Sequence, residues 1–290
     1  MKPRPTHADA AGATYLALQR LARAQRRPTA ELLQLYVLEG FLRRLVRSQH
    51  DERFVLKGGL LLAAFDLRRA TRDVDLLALR TDNNPTAISR LIVEVASAEV
   101  TDGVLFLPET ITVESIREGD DYPGVRAVLE ARLATARIKF SVDVNVGDPV
   151  VPAARRTSVP SLLGDEALEV MAYPKAMVVA EKLVTALERG RANTRWRDFA
   201  DLFLLLAGVL PESEVIEALR AVASYRGVSL MPLSELLAGM PVEVQRQWAT
   251  WRARHGAGTR VPEDFAAALE AIDDATRAWV VDAARPAQLR

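Results

Sequence analysis

The sequence lacks cysteine altogether, and histidine occurs only three times among its 290 residues. Without cysteine there can be no disulfide, no thiolate metal ligand and no cysteine nucleophile. His7, His50 and His255 lie far apart in the chain and form neither an HxxxH nor an HExxH pattern. We therefore do not expect a zinc hydrolase.

Long apolar runs are missing as well. No run reaches 18 residues, so we expect no membrane span. The first dozen residues also lack the apolar core of a signal peptide. Together these absences predict a cytoplasmic protein.

The sequence carries no net charge, because 38 Lys and Arg residues balance 38 Asp and Glu residues. The two signs are nevertheless segregated along the chain. Acids gather in residues 263–274, whereas arginines cluster in residues 20–27, 43–47, 68–72 and 189–197. Such segregation leaves a nucleic-acid partner open, although we interpret residues 20–27 as a solvated helix face.

The length and the 49% hydrophobic content predict one large globular domain or two joined ones. Apolar residues recur at helical spacing in residues 12–27 and 30–48. Short apolar and alternating segments then follow up to Val146, with one more helical stretch at residues 86–98. Residues 150–173 contain several prolines and small residues, and we interpret them as a linker. Beyond Pro174 the spacing is helical.

These patterns predict an α+β fold of two domains. Residues 1–150 would contain N-terminal helices and an α/β core with a small mixed sheet. Residues 151–290 would form a helical domain that completes an active-site cleft. Within the second domain, Trp248, Trp251 and Trp279 lie among apolar neighbours, which favours packing roles.

The most informative segment places two aspartates after a glycine pair. Asp73 and Asp75 are two residues apart, so on an extended strand both carboxylates face the same way. A lone D-x-D is weak evidence, and taken alone it favours a solvated strand end. Upstream, Gly58 and Gly59 follow a short strand, and such a turn lets backbone N–H groups approach phosphates, with Lys57 balancing their charge.

A later strand adds a third acid. Residues 137–146 alternate apolar and polar side chains with period two, and Asp143 is the single acid in the outward phase. If this strand lies beside the strand of Asp75, three carboxylates converge on one face. Three oxygen ligands without histidine or cysteine favour Mg²⁺ or Mn²⁺.

The order strand, Gly-Gly, helix, D-x-D strand and single-Asp strand resembles the polymerase-β-like nucleotidyltransferase fold. More narrowly, FVLKGGLLLAAFDLRRATRDVDLLAL and the later AEKLVTALERGRANTRWRDFADLFLL are similar to the AbiEii/AbiGii family. That family comprises the nucleotidyltransferase toxins of type IV toxin–antitoxin systems, including the mycobacterial MenT group. The resemblance spans roughly residues 30–207.

The resemblance implies a role for each matching residue. Asp73, Asp75 and Asp143 would hold metal. Lys57, Gly58 and Gly59 would contact the triphosphate of a bound NTP, and Gly59 replaces the serine that the wider superfamily has in its Gly-Ser motif.

Two further matches lie in the second half of the chain. Lys182 corresponds to a family lysine expected at the nucleotide, and Asp198 to the aspartate of the second domain. The residues alone also allow a second interpretation, in which Lys182 is a lysine on a surface helix. In the same way, the acids and arginines around Asp198 could belong to a solvated loop between two helices. We expect Asp198 to hold Lys182 or an arginine in place.

The function implied by the resemblance is an Mg²⁺-dependent toxin that transfers NMP from an NTP to an RNA 3′ end. The tRNA acceptor end would be the target, so that aminoacylation and translation stop, and Asp143 would help to deprotonate the 3′ hydroxyl. A winged-helix antitoxin encoded nearby would be the partner. Two alternatives stay open: a phosphotransferase or protein-modifying nucleotidyltransferase on the same fold, and a non-catalytic nucleotide- or RNA-binding regulator.

Overall fold

The computed structural model describes residues 5–81, 83–117, 123–164, 166–255 and 260–285. The chain divides into two compact units. The first unit comprises Met1–Gly147 and Arg155–Ala172, and the second comprises Asp148–Ala154 and Tyr173–Arg290. The predicted α+β class is confirmed, because one unit contains the strands and the other is helical.

The described part of the first unit contains helices and a single sheet. Its helices are α1 (Ala10–Gln25), α2 (Thr29–Leu45), α3 (Gly58–Leu61) and α4 (Pro85–Ala96), with short 3-10 turns at Asp51–Arg53 and Leu62–Phe65. Its strands are β1 (Phe54–Lys57), β2 (Asp73–Ala78), β3 (Val104–Arg117), β4 (Pro123–Leu133), β5 (Ala136–Val146), β6 (Arg155–Val159) and β7 (Leu168–Ala172).

The sheet is mixed and has the strand order β3-β4-β5-β2-β1-β7-β6. Strand β2 pairs parallel to β5 and antiparallel to β1, so the D-x-D strand lies at the centre of the sheet. Helix α2 is buried on almost every side, and its Phe41 packs against Phe106 and Phe140 of the sheet, with ring centroids 6.3 and 6.0 Å away. This apolar packing holds α2 against β3 and β5.

The interpretation of residues 150–173 as a linker is wrong. Residues 155–159 and 168–172 form β6 and β7, which pair antiparallel and extend the sheet from β1. Leu168, Val170 and Ala172 are buried at alternate positions, which is the period-two pattern of a strand. The pattern covers only five residues, and the turn residues before it hide it in the sequence. Residues 155–172 accordingly belong to the first unit and not to a helical domain that begins at residue 151.

In its described part, the second unit is helical, as predicted. Its helices are α5 (Lys175–Arg189), α6 (Trp196–Leu206), α7 (Glu212–Arg226), α8 (Leu233–Leu236), α9 (Met240–Arg254) and α10 (Phe265–Ala284). The rings of Phe199 and Trp248 pack on Phe265 at centroid distances of 5.1 and 5.3 Å, which joins α6, α9 and α10 through one core. Among the described residues, no helix has the length and apolar character needed to cross a membrane.

Candidate active site

The parallel pairing of β2 and β5 brings the three predicted carboxylates together. Asp75 lies directly opposite Asp143 in the register, and Asp73 lies opposite Ser141, two residues earlier on the same face. One carboxylate oxygen from each aspartate lies within 4.8 Å of the others. The structure therefore forms a compact oxygen-donor cluster from two strands that are far apart in sequence.

The cluster holds more negative charge than its surroundings readily stabilise. Burial, followed by the charges of Asp73 and Asp143, raises the pKa of Asp75 to about 7, and Lys57 acts in the opposite direction. A divalent cation among these oxygens would offset the repulsion. Because the donors are all hard oxygens, the set suits a magnesium-type ion and fits the metal that the family resemblance implies.

Two neighbouring side chains that we did not predict organise the cluster. Arg126 lies opposite Asp143 in the pairing of β4 with β5, and its Nε and Nη2 donate to the two carboxylate oxygens at 2.8 and 2.6 Å. The Thr71 hydroxyl donates to Asp73 at 2.5 Å. The contact of Arg126 follows from strand register, which the sequence does not reveal, whereas Thr71 is near enough to Asp73 to be found as a local contact.

The glycine turn lies against the same carboxylates. The Gly59 N–H donates to Asp75 at 3.3 Å, and Lys57 pairs with Asp75 in the β1–β2 ladder. Gly58 has a φ of +66°, and a Cβ at this position would lie 1.9 Å from Asp75 Oδ2. Glycine is thus required here both for the backbone conformation and for the close approach of the carboxylate.

We expect Gly58→Ala to remove activity by displacing Asp75. Gly227 provides a matched control, because its φ is +62° but nothing lies within 4 Å of the Cβ that alanine would add. Both substitutions carry the left-handed backbone cost of about 1–2 kcal/mol, and only Gly58→Ala also collides with the carboxylate. Nucleotide transfer and thermal unfolding measured on both variants test this. If Gly58→Ala retained wild-type transfer, the close packing of turn and carboxylate would have no role in the reaction.

The second unit contains a separate buried ion cluster that includes the predicted Lys182 and Asp198. Lys182 of α5 lies between two aspartates of α6, with Nζ 2.6 Å from Asp198 and 2.8 Å from Asp201. The other oxygen of Asp198 accepts a hydrogen bond from Arg195 Nε at 2.6 Å. Asp201 was not predicted as a site residue, although its i, i+3 spacing from Asp198 places both on one helix face.

The charges of this cluster stabilise one another. Burial acts to raise the pKa of Asp198, but the ion pairs with Lys182 and Arg195 outweigh it and hold that pKa at about 2. Asp198 is therefore ionised at neutral pH. The cluster both joins α5 to α6 and fixes the Lys182 side chain, of which 12% is exposed.

A central strand pair with three converging carboxylates, next to a glycine turn, has the features of a nucleotidyltransferase site. Comparison with known families agrees with this class. The family model described as "Nucleotidyl transferase AbiEii toxin, Type IV TA system" matches residues 40–278. The chain therefore belongs to the AbiEii toxin family of type IV toxin–antitoxin systems, and it is a nucleotidyltransferase.

One solved structure agrees at the level of the fold. The crystal structure of JHP933 from Helicobacter pylori has a TM-score of 0.52 and 14% identity, over 86% of this chain and 92% of that one. A second H. pylori structure, of a candidate nucleotidyltransferase, has a TM-score of 0.49 and 14% identity, over 86% and 95% of the two chains. No sequence among the curated proteins matches the chain.

Proposed function

We propose that this toxin transfers NMP from an NTP to the 3′ hydroxyl of an RNA, with the tRNA acceptor end as the target. The convergence of Asp73, Asp75 and Asp143 beside the glycine turn carries this proposal. Modification of the acceptor end would prevent aminoacylation and so stop translation. Such a substrate implies that the protein acts in the cytoplasm, where a winged-helix antitoxin encoded nearby would restrain it.

In this reaction Asp73, Asp75 and Asp143 would hold Mg²⁺, with Mn²⁺ as the alternative. The bound metal would supply charge stabilisation for the attacking and leaving oxygens. Lys57, with the Gly58 and Gly59 turn, would bind the triphosphate, since lysine meets phosphate as a point charge. These residues bind and orient the NTP, and positioning accounts for much of the catalysis in phosphoryl chemistry.

The contacts of Asp143 modify one expectation drawn from the sequence. Both of its oxygens accept hydrogen bonds from Arg126. A proton taken up by Asp143 would remove the charge that pairs with Arg126, whereas a cation bound at the remaining lone pairs of its oxygens would leave that pairing in place. We therefore propose Asp143 as a metal ligand and leave deprotonation of the hydroxyl out of its role.

Lys182 and Asp198 have a distinct proposed role. Lys182 would bind the nucleotide, and Asp198 would act as a positioning residue that fixes the lysine through their 2.6 Å ion pair. A lysine held by buried acids loses little rotamer entropy on binding phosphate, which favours a preorganised contact.

The position of a radioactive label in the NTP tests the reaction directly. The protein is incubated with Mg²⁺ and total RNA, and each of the four NTPs is supplied labelled at either the α- or the γ-phosphate. We expect the α-label to enter RNA of tRNA size, with release of pyrophosphate. RNase digestion and 3′-end sequencing would then locate the added nucleotide.

Each other outcome identifies a different activity. Transfer of the γ-label would indicate a phosphotransferase, and α-label in the protein fraction would indicate a protein-modifying nucleotidyltransferase. Absence of both labels from every fraction, together with retained NTP or RNA binding, would indicate a regulator. Any of these three results would overturn the proposal.

A further inference from the structure

The second unit contains a surface pocket of about 500 Å³, and none of its lining residues belongs to the ion cluster of Lys182, Asp198, Asp201 and Arg195. Its aromatic lining comes from Trp196, Trp251 and His255, and its charged lining from Arg246 and Arg254. All but Trp196 belong to α9 or to the residue that follows it. No carboxylate side chain contributes to the lining.

The rings of this region form a stack that runs from the core to the surface. Trp248 is fully buried, and Trp251 stacks on it with centroids 5.2 Å apart and planes 17° apart. His255 in turn stacks on Trp251 at 5.1 Å and 21°, and it is exposed. Because these rings are ordered by packing within the protein, a further planar ring could extend the stack at low entropic cost.

The sequence-based packing role therefore holds for Trp248 but is incomplete for Trp251. Trp251 is only half-buried and contributes to the pocket lining. Helical spacing at positions 248, 251 and 255 accounts for the stack, but it does not show which of the rings reaches the surface.

The charge of the pocket points to an anionic ligand. Arg246 and Arg254 are exposed, and within the described part of the chain neither makes an ion pair. The nearby Arg191, by contrast, is paired with Glu243. Two available guanidinium groups beside aromatic rings, without an acid among them, match the way that single-stranded nucleic acid is bound.

We propose that this pocket binds an unpaired nucleotide of RNA. The base would extend the ring stack at Trp251 and His255, and the flanking phosphodiesters would meet Arg246 and Arg254. RNA binding at this pocket does not depend on the proposed function. Only the further step, that the bound RNA is the acceptor of the transferred nucleotide, rests on it. The pocket would then hold one nucleotide of the acceptor RNA.

Two features favour RNA over a free NTP. A triphosphate carries several charges and normally binds with a metal ion, but the pocket lining offers no carboxylate to hold one. A phosphodiester carries one charge per nucleotide and is suited to a pair of arginines. The stacking rings also favour an unpaired base, because the faces of paired bases are covered by their neighbours in a helix.

The test measures RNA binding without any reaction. Fluorescence anisotropy of labelled oligouridine of about 12 nucleotides is followed with the full chain in EDTA and without NTP. The double variant Arg246→Gln/Arg254→Gln should lower the slope of log K against log salt by about 1.4, or roughly 0.7 for each lost phosphate contact. The matched control is Arg20→Gln/Arg23→Gln, which removes two exposed arginines of α1 and should leave binding unchanged.

The stacking contribution is tested separately. Trp251→Ala should weaken binding roughly 5- to 150-fold, and Trp251→Phe should restore part of the loss. Because Trp251 also packs on Trp248, circular dichroism melting accompanies each variant. His255→Ala removes an exposed ring, so its effect on binding can be read with little risk to folding.

Several results would overturn the proposal. The first is unchanged RNA binding in the double arginine variant and in His255→Ala. The second is competition by UTP that is as strong per nucleotide as competition by oligouridine. The third is that these variants lose co-purification with the antitoxin while their RNA binding stays intact. The outcome is independent of the proposed transfer. Weakened binding in these variants supports the pocket even if no label enters RNA, and normal transfer with unchanged binding overturns the pocket alone.

Discussion

Replacement of Asp75 by asparagine is expected to abolish nucleotide transfer and at the same time raise the melting temperature of the metal-free protein. Asparagine keeps the shape of the side chain and can still accept the Gly59 N–H bond. It removes the charge that burial and the neighbouring aspartates oppose, as the raised pKa of Asp75 shows. Activity should fall by roughly 10³-fold, because charge stabilisation of the transition state is lost.

Melting curves in EDTA and transfer assays in Mg²⁺ measure the two effects on one preparation. Asp66→Asn is the matched control, because Asp66 is exposed and has a left-handed φ of +59° that asparagine tolerates. It should change neither quantity. If Asp75→Asn lowered the melting temperature in EDTA or transferred nucleotide at the wild-type rate, the three carboxylates would not form a metal site in which their charges repel one another.

Loss of Lys182 should destabilise the protein far more than loss of Asp198. Lys182→Met leaves the buried Asp198 and Asp201 without their shared lysine, and removal of one partner from a buried ion pair typically costs about 3–5 kcal/mol. Asp198→Ala leaves Lys182 paired with Asp201, so its unfolding free energy should change much less. We nevertheless expect Asp198→Ala to lose most of its transfer activity, because the lysine is then held from one side only.

Chemical denaturation and transfer assays on both variants distinguish a positioning role from a structural one. Lys182→Arg serves as the fold control, because it preserves the positive charge while altering the phosphate contact. A stability loss in Asp198→Ala as large as that of Lys182→Met would contradict the positioning role. A KM for NTP that rises in a stably folded Asp198→Ala would support it.

The pH dependence of stability provides a further check on Asp198. Its pKa is about 2 in the folded protein, below the ordinary value of 3.8, so its ionised form stabilises the fold above pH 3.8. That contribution should be lost as the pH falls from 3.8 towards 2. The difference in unfolding free energy between wild type and Asp198→Asn should therefore shrink over this range, and a difference that stayed constant would contradict the ion-pair origin.

The cluster of three carboxylates could largely be predicted from the sequence, because its geometry follows from period-two patterns. The spacing of Asp73 and Asp75 places both on one face of a strand, and the alternation around Asp143 gives its phase. That β2 and β5 are neighbours was an assumption, since strand order depends on packing of the whole sheet. Arg126 was missed for this reason, because its contact with Asp143 exists only in the β4–β5 register.

Other features were beyond the sequence for different reasons. Strands β6 and β7 are five residues each, too short for alternation to outweigh the prolines and glycine around them. In the helical unit, spacing placed Lys182 and Asp198 on helices, but it could not show that Asp201 completes their ion cluster. Helical spacing also gave the same prediction for Trp248 and Trp251, although only the first is fully buried.

With the proposed metal site, the parallel register between β2 and β5 would also set when the enzyme becomes active during its synthesis. Asp143 follows Asp75 by 68 positions, and β7, which pairs with β1 on the other side of the sheet, ends only at Ala172. A nascent chain that has exposed the glycine turn and the D-x-D strand still lacks its third carboxylate. Prematurely terminated or frameshifted products that end before residue 136 would therefore be harmless to the cell that makes them, and growth inhibition should require the chain to extend beyond β5.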